Sequence, residues 1–244
     1  MSADKPIQIV NLSSTTKFNK KGHKDLPELP FFLICAGPSR SGKSNCIKNL
    51  LQRRDLMKKL FRPEDIFIIS PSLRFNDDYE EVDTPNKFDE FTNQLVKEIV
   101  NEQTLVIDTY KKSRAPHILL VLDDIADNPQ FANSRILQQL AFRGRHCKIS
   151  VIVSVQKLSS IPRGVRLNST HFSLFRPSNM SELDNIIEEL CPKHLRKKMY
   201  GVFNEIWTQP YSFVYMDLLN KDMKKRVNDG FSNPMDFNFL ENPK

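Results

Sequence analysis

The sequence predicts an α/β fold, a mostly parallel sheet flanked by helices with extensions at both ends. Three observations carry that expectation. Gly37-Pro38-Ser39-Arg40-Ser41-Gly42-Lys43-Ser44 fits the phosphate-binding pattern G-x-x-x-x-G-K-[ST] at every required position. The apolar run Phe31–Ala36 before it reads as a buried strand, and Asn45–Gln52 after it reads as a helix. Beyond that unit, apolar runs and helical stretches keep alternating.

Taken in order, residues 1–28 are polar and irregular and read as an N-terminal arm. Asp65–Ser70 is a second strand, stopped by Pro71. Phe88 to Lys112 reads as a helix, with Phe88, Phe91, Leu95 and Ile99 near one face. His117–Leu122 is a third strand, Ala132–Arg143 a helix, Lys148–Ser154 a fourth strand and His171–Phe175 a fifth. Helices follow over Ser181–Leu190 and Pro192–Glu205, then a late strand over Tyr211–Met216. The domain boundaries expected are 29–220 for the nucleotide-binding domain and 221–244 for a polar C-terminal tail.

Composition narrows the class. The chain has 244 residues, 39% hydrophobic and 27% charged, as a globular domain with a sizeable core requires. No apolar run approaches the ~18 residues of a membrane span. The first residues lack the apolar core of a secretory signal. Cys35, Cys46, Cys147 and Cys191 form no C-x-x-C pair and read as reduced, mostly buried thiols, not a zinc site or disulfide frame. The net charge of +7 suits a polyanionic partner such as nucleic acid, and equally a solvated basic surface.

The loop's spacing has a chemical reason. Backbone N–H groups at a helix N-terminus lack partners and can face a triphosphate. Gly37 and Gly42 let the backbone approach the oxygens, Lys43 would reach the β- and γ-phosphates, and the Ser44 hydroxyl would ligate Mg²⁺. The expected ligands are therefore ATP and Mg²⁺, and the expected fold a P-loop NTPase. Ile118–Leu122 runs into Asp123-Asp124, which places carboxylates at the sheet edge beside the loop. Asp123 is the metal-holding residue, and Asp124 is placed to polarise an attacking water. The fourth strand ends in Gln156, suited to sensing the γ-phosphate if that strand lies between the other two. Phe142-Arg143-Gly144-Arg145-His146 is a basic, glycine-hinged segment, and Arg143 or Arg145 could reach a neighbour's site as an arginine finger. Arg163 and Arg166 compete for that role, and a solvated or DNA-facing arginine is an equal reading of each.

Together Gly37–Ser44, Ile118–Asp124, Gly144-Arg145-His146, Ile149–Gln156, Val165–Asn168 and His171–Phe175 resemble the poxvirus-type genome-packaging ATPases. That family includes proteins of large eukaryotic DNA viruses, virophages and Polinton-like elements, within the FtsK–HerA superfamily. The resemblance spans roughly residues 31–176. It implies a RecA-like sheet in a homo-oligomeric ring, of five or six subunits, that moves double-stranded DNA into a preformed capsid. Capsid proteins are then partners, and the virion or the host cytoplasm is the location. Lys43 and Ser44 match the family's phosphate-loop lysine and Mg²⁺ serine, Asp123 its metal aspartate and Gln156 its sensor. Many superfamily members carry Asp-Glu where this chain has Asp123-Asp124, so the shorter Asp124 reaches less far.

Other functions fit parts of the same sequence. The loop beginning Gly37-Pro38-Ser39 also resembles that of guanylate kinases, a small-molecule kinase reading that lacks a recognisable acceptor lid. An ATP-dependent DNA-binding scaffold and a helicase complete the alternatives.

Overall fold

The strand that feeds the phosphate loop lies inside the sheet, with partners on both edges. A computed structural model describes residues 23–75, 79–222 and 225–235. Its strands are β1 (Phe32–Ala36), β2 (Ile66–Ile69), β3 (Asn86–Phe88), β4 (Ile118–Asp123), β5 (Ile149–Val155), β6 (His171–Phe175), β7 (Phe213–Asp217), β8 (Val227–Asp229) and β9 (Asn233–Pro234). They form one nine-stranded sheet in the order β3-β2-β4-β5-β1-β6-β7-β8-β9. Strands β3 through β6 pair in parallel, and β7 to β9 add in antiparallel fashion. The α/β expectation of a mostly parallel, helix-flanked sheet is borne out.

The helices are α1 (Lys43–Gln52), α2 (Asn93–Tyr110), α3 (Pro129–Ala132), α4 (Arg135–Arg143), α5 (Arg163–Asn168), α6 (Met180–Leu190) and α7 (Arg196–Ile206). The central strands are buried on both faces, so successive residues feed opposite cores. Phe32, Ile34, Leu120, Leu122, Val151 and Val153 meet apolar residues of α2 and α4 to α7. Leu33, Cys35, Leu119, Val121 and Ile152 meet Cys46, Ile47, Leu50 and Leu51 of α1 on the other face. Three layers result, with α1 and the phosphate loop on the second face.

Capping explains several boundaries. The helix expected over Phe88–Lys112 begins only at Asn93, because the Thr92 hydroxyl accepts from the Leu95 N–H. Residues 86–88 before it form β3, and Phe91 packs edge-on against Phe131 at 5.7 Å. Similarly, Ser134 accepts from Leu137 N–H and starts α4 at Arg135, not Ala132. The helix read from Pro192 starts at Arg196, and the strand read from Tyr211 starts at Phe213, because Tyr211 has a left-handed φ of 64°.

The terminal segments differ in kind. Leu26 of the expected N-terminal arm is buried against the α1 face, whereas residues 1–22 lie outside the described residues. The polar tail read from Lys221 supplies β8 and β9, and Phe231 packs on Phe213 and Tyr215. Phe237 and Phe239 lie outside the described residues.

Candidate functional site

The loop takes its form from two glycines and one strand tip. Gly42 caps α1 with φ 101° and no side-chain hydrogen bond. The first N–H groups of α1 are thus left to an outside acceptor, which favours an anion. A Cβ on Gly37 would lie 2.5 Å from Phe175 Cβ, so the loop leaves β1 too close to β6 for any other residue. The Gly37 N–H donates to Val155 O at 3.1 Å, tying the loop to the end of β5. Pro38, Ser39, Arg40 and Ser41 form the crown, with Arg40 at φ 62° and both Ser39 and Arg40 exposed.

Lys43 lies under that crown. Its ammonium donates to Gly37 O and Pro38 O, each at 2.7 Å. Burial pushes its pKa below the usual lysine value, and the charges of Asp123 and Asp124 oppose that shift.

Asp123 meets the loop from β4. The register pairs it with Ser154, and Ser154 pairs with Cys35 on β1. Following Leu119 and Val121, it shares their α1-facing side. Its Oδ2 accepts from Ser44 Oγ at 3.0 Å and from Tyr79 Oη at 2.7 Å, and only 2% of the residue is exposed. Asp124 is exposed at φ 53°, turned out of the strand at the sheet edge. Gln156 is exposed at the tip of β5. Because β5 lies between β1 and β4, that tip stands between the loop and Asp123.

The arginines separate. Arg143 ends α4, and Arg145 lies in the short helical turn Gly144–His146 before β5; both are exposed. Since β5 runs parallel to β1, they stand at the opposite sheet edge from the loop, roughly 20 Å along the strand axis. Within one chain they do not meet the phosphate loop. Arg166 is held in a different role: its Nε donates to both carboxylate oxygens of Glu189, at 2.8 and 2.9 Å, fastening α5 to α6. Arg163 is exposed at the start of α5.

Tyr79 is the site residue that the sequence did not reveal. It stands in an irregular segment between β2 and β3, with no periodicity and no fixed spacing to the loop. Fully buried, it is one of the largest side chains with no exposed surface. Only the folded chain brings it to Asp123.

A hydroxyl and a carboxylate converging beside a buried lysine fit a divalent cation that takes its other ligands from phosphates and water. Among the described residues, no group of three or more His, Cys, Asp or Glu side chains could hold a metal unaided. Also among them, no helix is long and apolar enough to cross a membrane.

A phosphate loop, an acid-tipped strand and a Gln-tipped strand inserted between them define a P-loop ATPase. More particularly, the family model described as the Poxvirus A32 protein matches residues 16–215, and the chain belongs to that family. It is 25% identical over 186 residues to uncharacterised protein 075L of Invertebrate iridescent virus 6, covering 76% of this chain and 69% of that one. In fold it is similar to B204, the DNA-packaging ATPase of Sulfolobus turreted icosahedral virus, with a TM-score of 0.58 at 15% identity, over 86% of this chain and 100% of that one. The genome packaging NTPase B204 of Sulfolobus turreted icosahedral virus 2, in complex with ATP-gammaS, gives a TM-score of 0.57 at 14% identity, over 84% and 97% of the two chains. The poxvirus-type family read from the motifs is borne out by that family match, and the solved structures bear out the expected fold.

Proposed function

We propose that the chain is the ATP-driven motor that moves double-stranded DNA into a preformed capsid, working as a homo-oligomeric ring with Mg²⁺. The observation that supports it best is the strand order β4-β5-β1, which sets the strand ends that carry Asp123 and Gln156 beside the strand that feeds the phosphate loop. Lys43 and the α1 N-terminus hold the phosphates. Ser44 and Asp123 hold the cation, whose charge, once bound, offsets the negative charge of the β- and γ-phosphate oxygens. Asp124, exposed at the strand end, accepts or orients the proton of the attacking water. Gln156 contacts the γ-phosphate and passes its loss to α5 through the connection from β5.

Arg143 and Arg145 stand too far from their own loop to act there. In a ring, the edge that carries them can face the next subunit's site, where Arg145 neutralises charge on the transferred phosphoryl group. The basic excess of the chain holds DNA phosphates without reading bases, as a motor accepting any sequence requires. The virion and the host cytoplasm are where such a motor works, with capsid proteins as its docking partners. The test is ATP hydrolysis with and without duplex DNA, for wild type and Lys43→Ala. DNA-stimulated hydrolysis lost in Lys43→Ala supports the reading, and hydrolysis surviving in that variant contradicts it.

A further inference from the structure

The strand order orients more than the phosphates. Asp123 and Gln156 lie to one side of β1, on β4 and β5, and mark the γ-phosphate end. A nucleotide lying along the loop with that end there must direct its nucleoside to the other side, over the tips of β6 and β7. A cavity of about 440 Å³ opens at that place. Its walls include Arg40 and Ser41 of the loop, Arg176 after β6, and Trp207 and Tyr211 on the connection from α7 to β7.

Tyr211 is placed there by an unusual backbone. Its φ of 64° is uncommon for an aromatic residue, and such conformations concentrate where a site needs them. The turn is closed behind it by Ser212, whose N–H and hydroxyl reach Gln209 O at 3.3 and 2.7 Å. The ring lies against the loop itself: a Cβ on Gly42 would be 3.2 Å from Tyr211 Cδ1. Yet 71% of Tyr211 is exposed, so its outer surface is open to a ligand. Trp207 forms a fixed floor, buried, with its indole N–H donating to Leu174 O at 3.0 Å. The exposed guanidinium groups of Arg40 and Arg176 add planar cations to the same cavity.

The geometry points to this cavity as the nucleoside subsite, with the base stacked on Tyr211. The assignment rests on the nucleotide-binding reading above and gives a role to the turn before β7. A flat aromatic ring beside a phosphate loop holds any base by its π-face.

The test compares ADP with inorganic tripolyphosphate on the full chain. Trp207, the chain's one tryptophan, supplies a fluorescence readout within the cavity, and calorimetry gives the affinities. Tyr211→Gly removes the ring while suiting the positive φ, and Tyr211→Phe keeps the ring. ADP affinity should fall roughly tenfold or more in Tyr211→Gly and stay within a few-fold of wild type in Tyr211→Phe. Tripolyphosphate affinity should be the same in all three proteins. ADP affinity unchanged in Tyr211→Gly overturns the subsite, and so does an equal loss for tripolyphosphate, which would make Tyr211 a support of the loop alone. Wild type binding neither probe would instead overturn the nucleotide reading on which the subsite rests.

Discussion

Tyr79 Oη donates to Asp123 Oδ2 at 2.7 Å, and Ser44 Oγ donates to the same oxygen at 3.0 Å. Two hydroxyls from distant parts of the chain therefore fix one carboxylate in a nearly dry site. If Ser44 Oγ were a ligand of a bound cation, Tyr79 would be the hydroxyl left to keep Asp123 oriented. Tyr79→Phe removes that bond with little change in volume. It should raise the Mg²⁺ concentration for half-maximal hydrolysis several-fold and lower stability by about 1 kcal/mol. A Mg²⁺ titration identical to wild type would show that Tyr79 serves packing only.

Gly37→Ala should be destabilising. Its Cβ would lie 2.5 Å from Phe175 Cβ, which sits on the rigid strand β6. Forcing the two apart costs about 1–3 kcal/mol. Chemical denaturation of the variant should show that loss, and a midpoint equal to wild type would mean the loop has slack there.

Asp124→Asn should bind ATP normally and hydrolyse it at least a hundredfold more slowly, since asparagine tolerates the same left-handed backbone but accepts no proton. Hydrolysis at the normal rate would remove Asp124 from the mechanism.

Arg145→Ala and Arg166→Ala should fail differently. Arg166 is bonded to both Glu189 oxygens in a mostly buried pair, so its loss should lower the melting temperature. Arg145 is exposed, so its loss should leave stability nearly unchanged and hydrolysis impaired. Mixing Arg145→Ala with Lys43→Ala should restore part of the activity, because some sites then pair an intact loop with a neighbour's Arg145. No recovery on mixing would exclude Arg145 as a finger acting between subunits.

The parts of the site that follow strand-tip logic were legible in the sequence. Lys43, Asp123 and Gln156 each end or follow a buried apolar run, and parallel strands bring such tips to one edge. Helix starts were misread where a cap outweighed an apolar pattern, as at Thr92 and Ser134. The strands of the tail were not legible because β8 and β9 are short and largely polar, and their place at the sheet edge depends on pairing with β7. Tyr79 and Tyr211 were out of reach, since each stands in an irregular connection and acquires its neighbour only through tertiary packing. The same holds for Arg166, whose engagement with Glu189 spans 23 positions.

The proposed motor couples ATP hydrolysis to DNA within an assembly of several copies. Its most direct test measures the ATPase rate with and without duplex DNA of mixed sequence, beside the mass of the ATP-bound species. A rate raised by DNA, in an assembly of several subunits, is the predicted result. A monomer whose hydrolysis ignores DNA would contradict it.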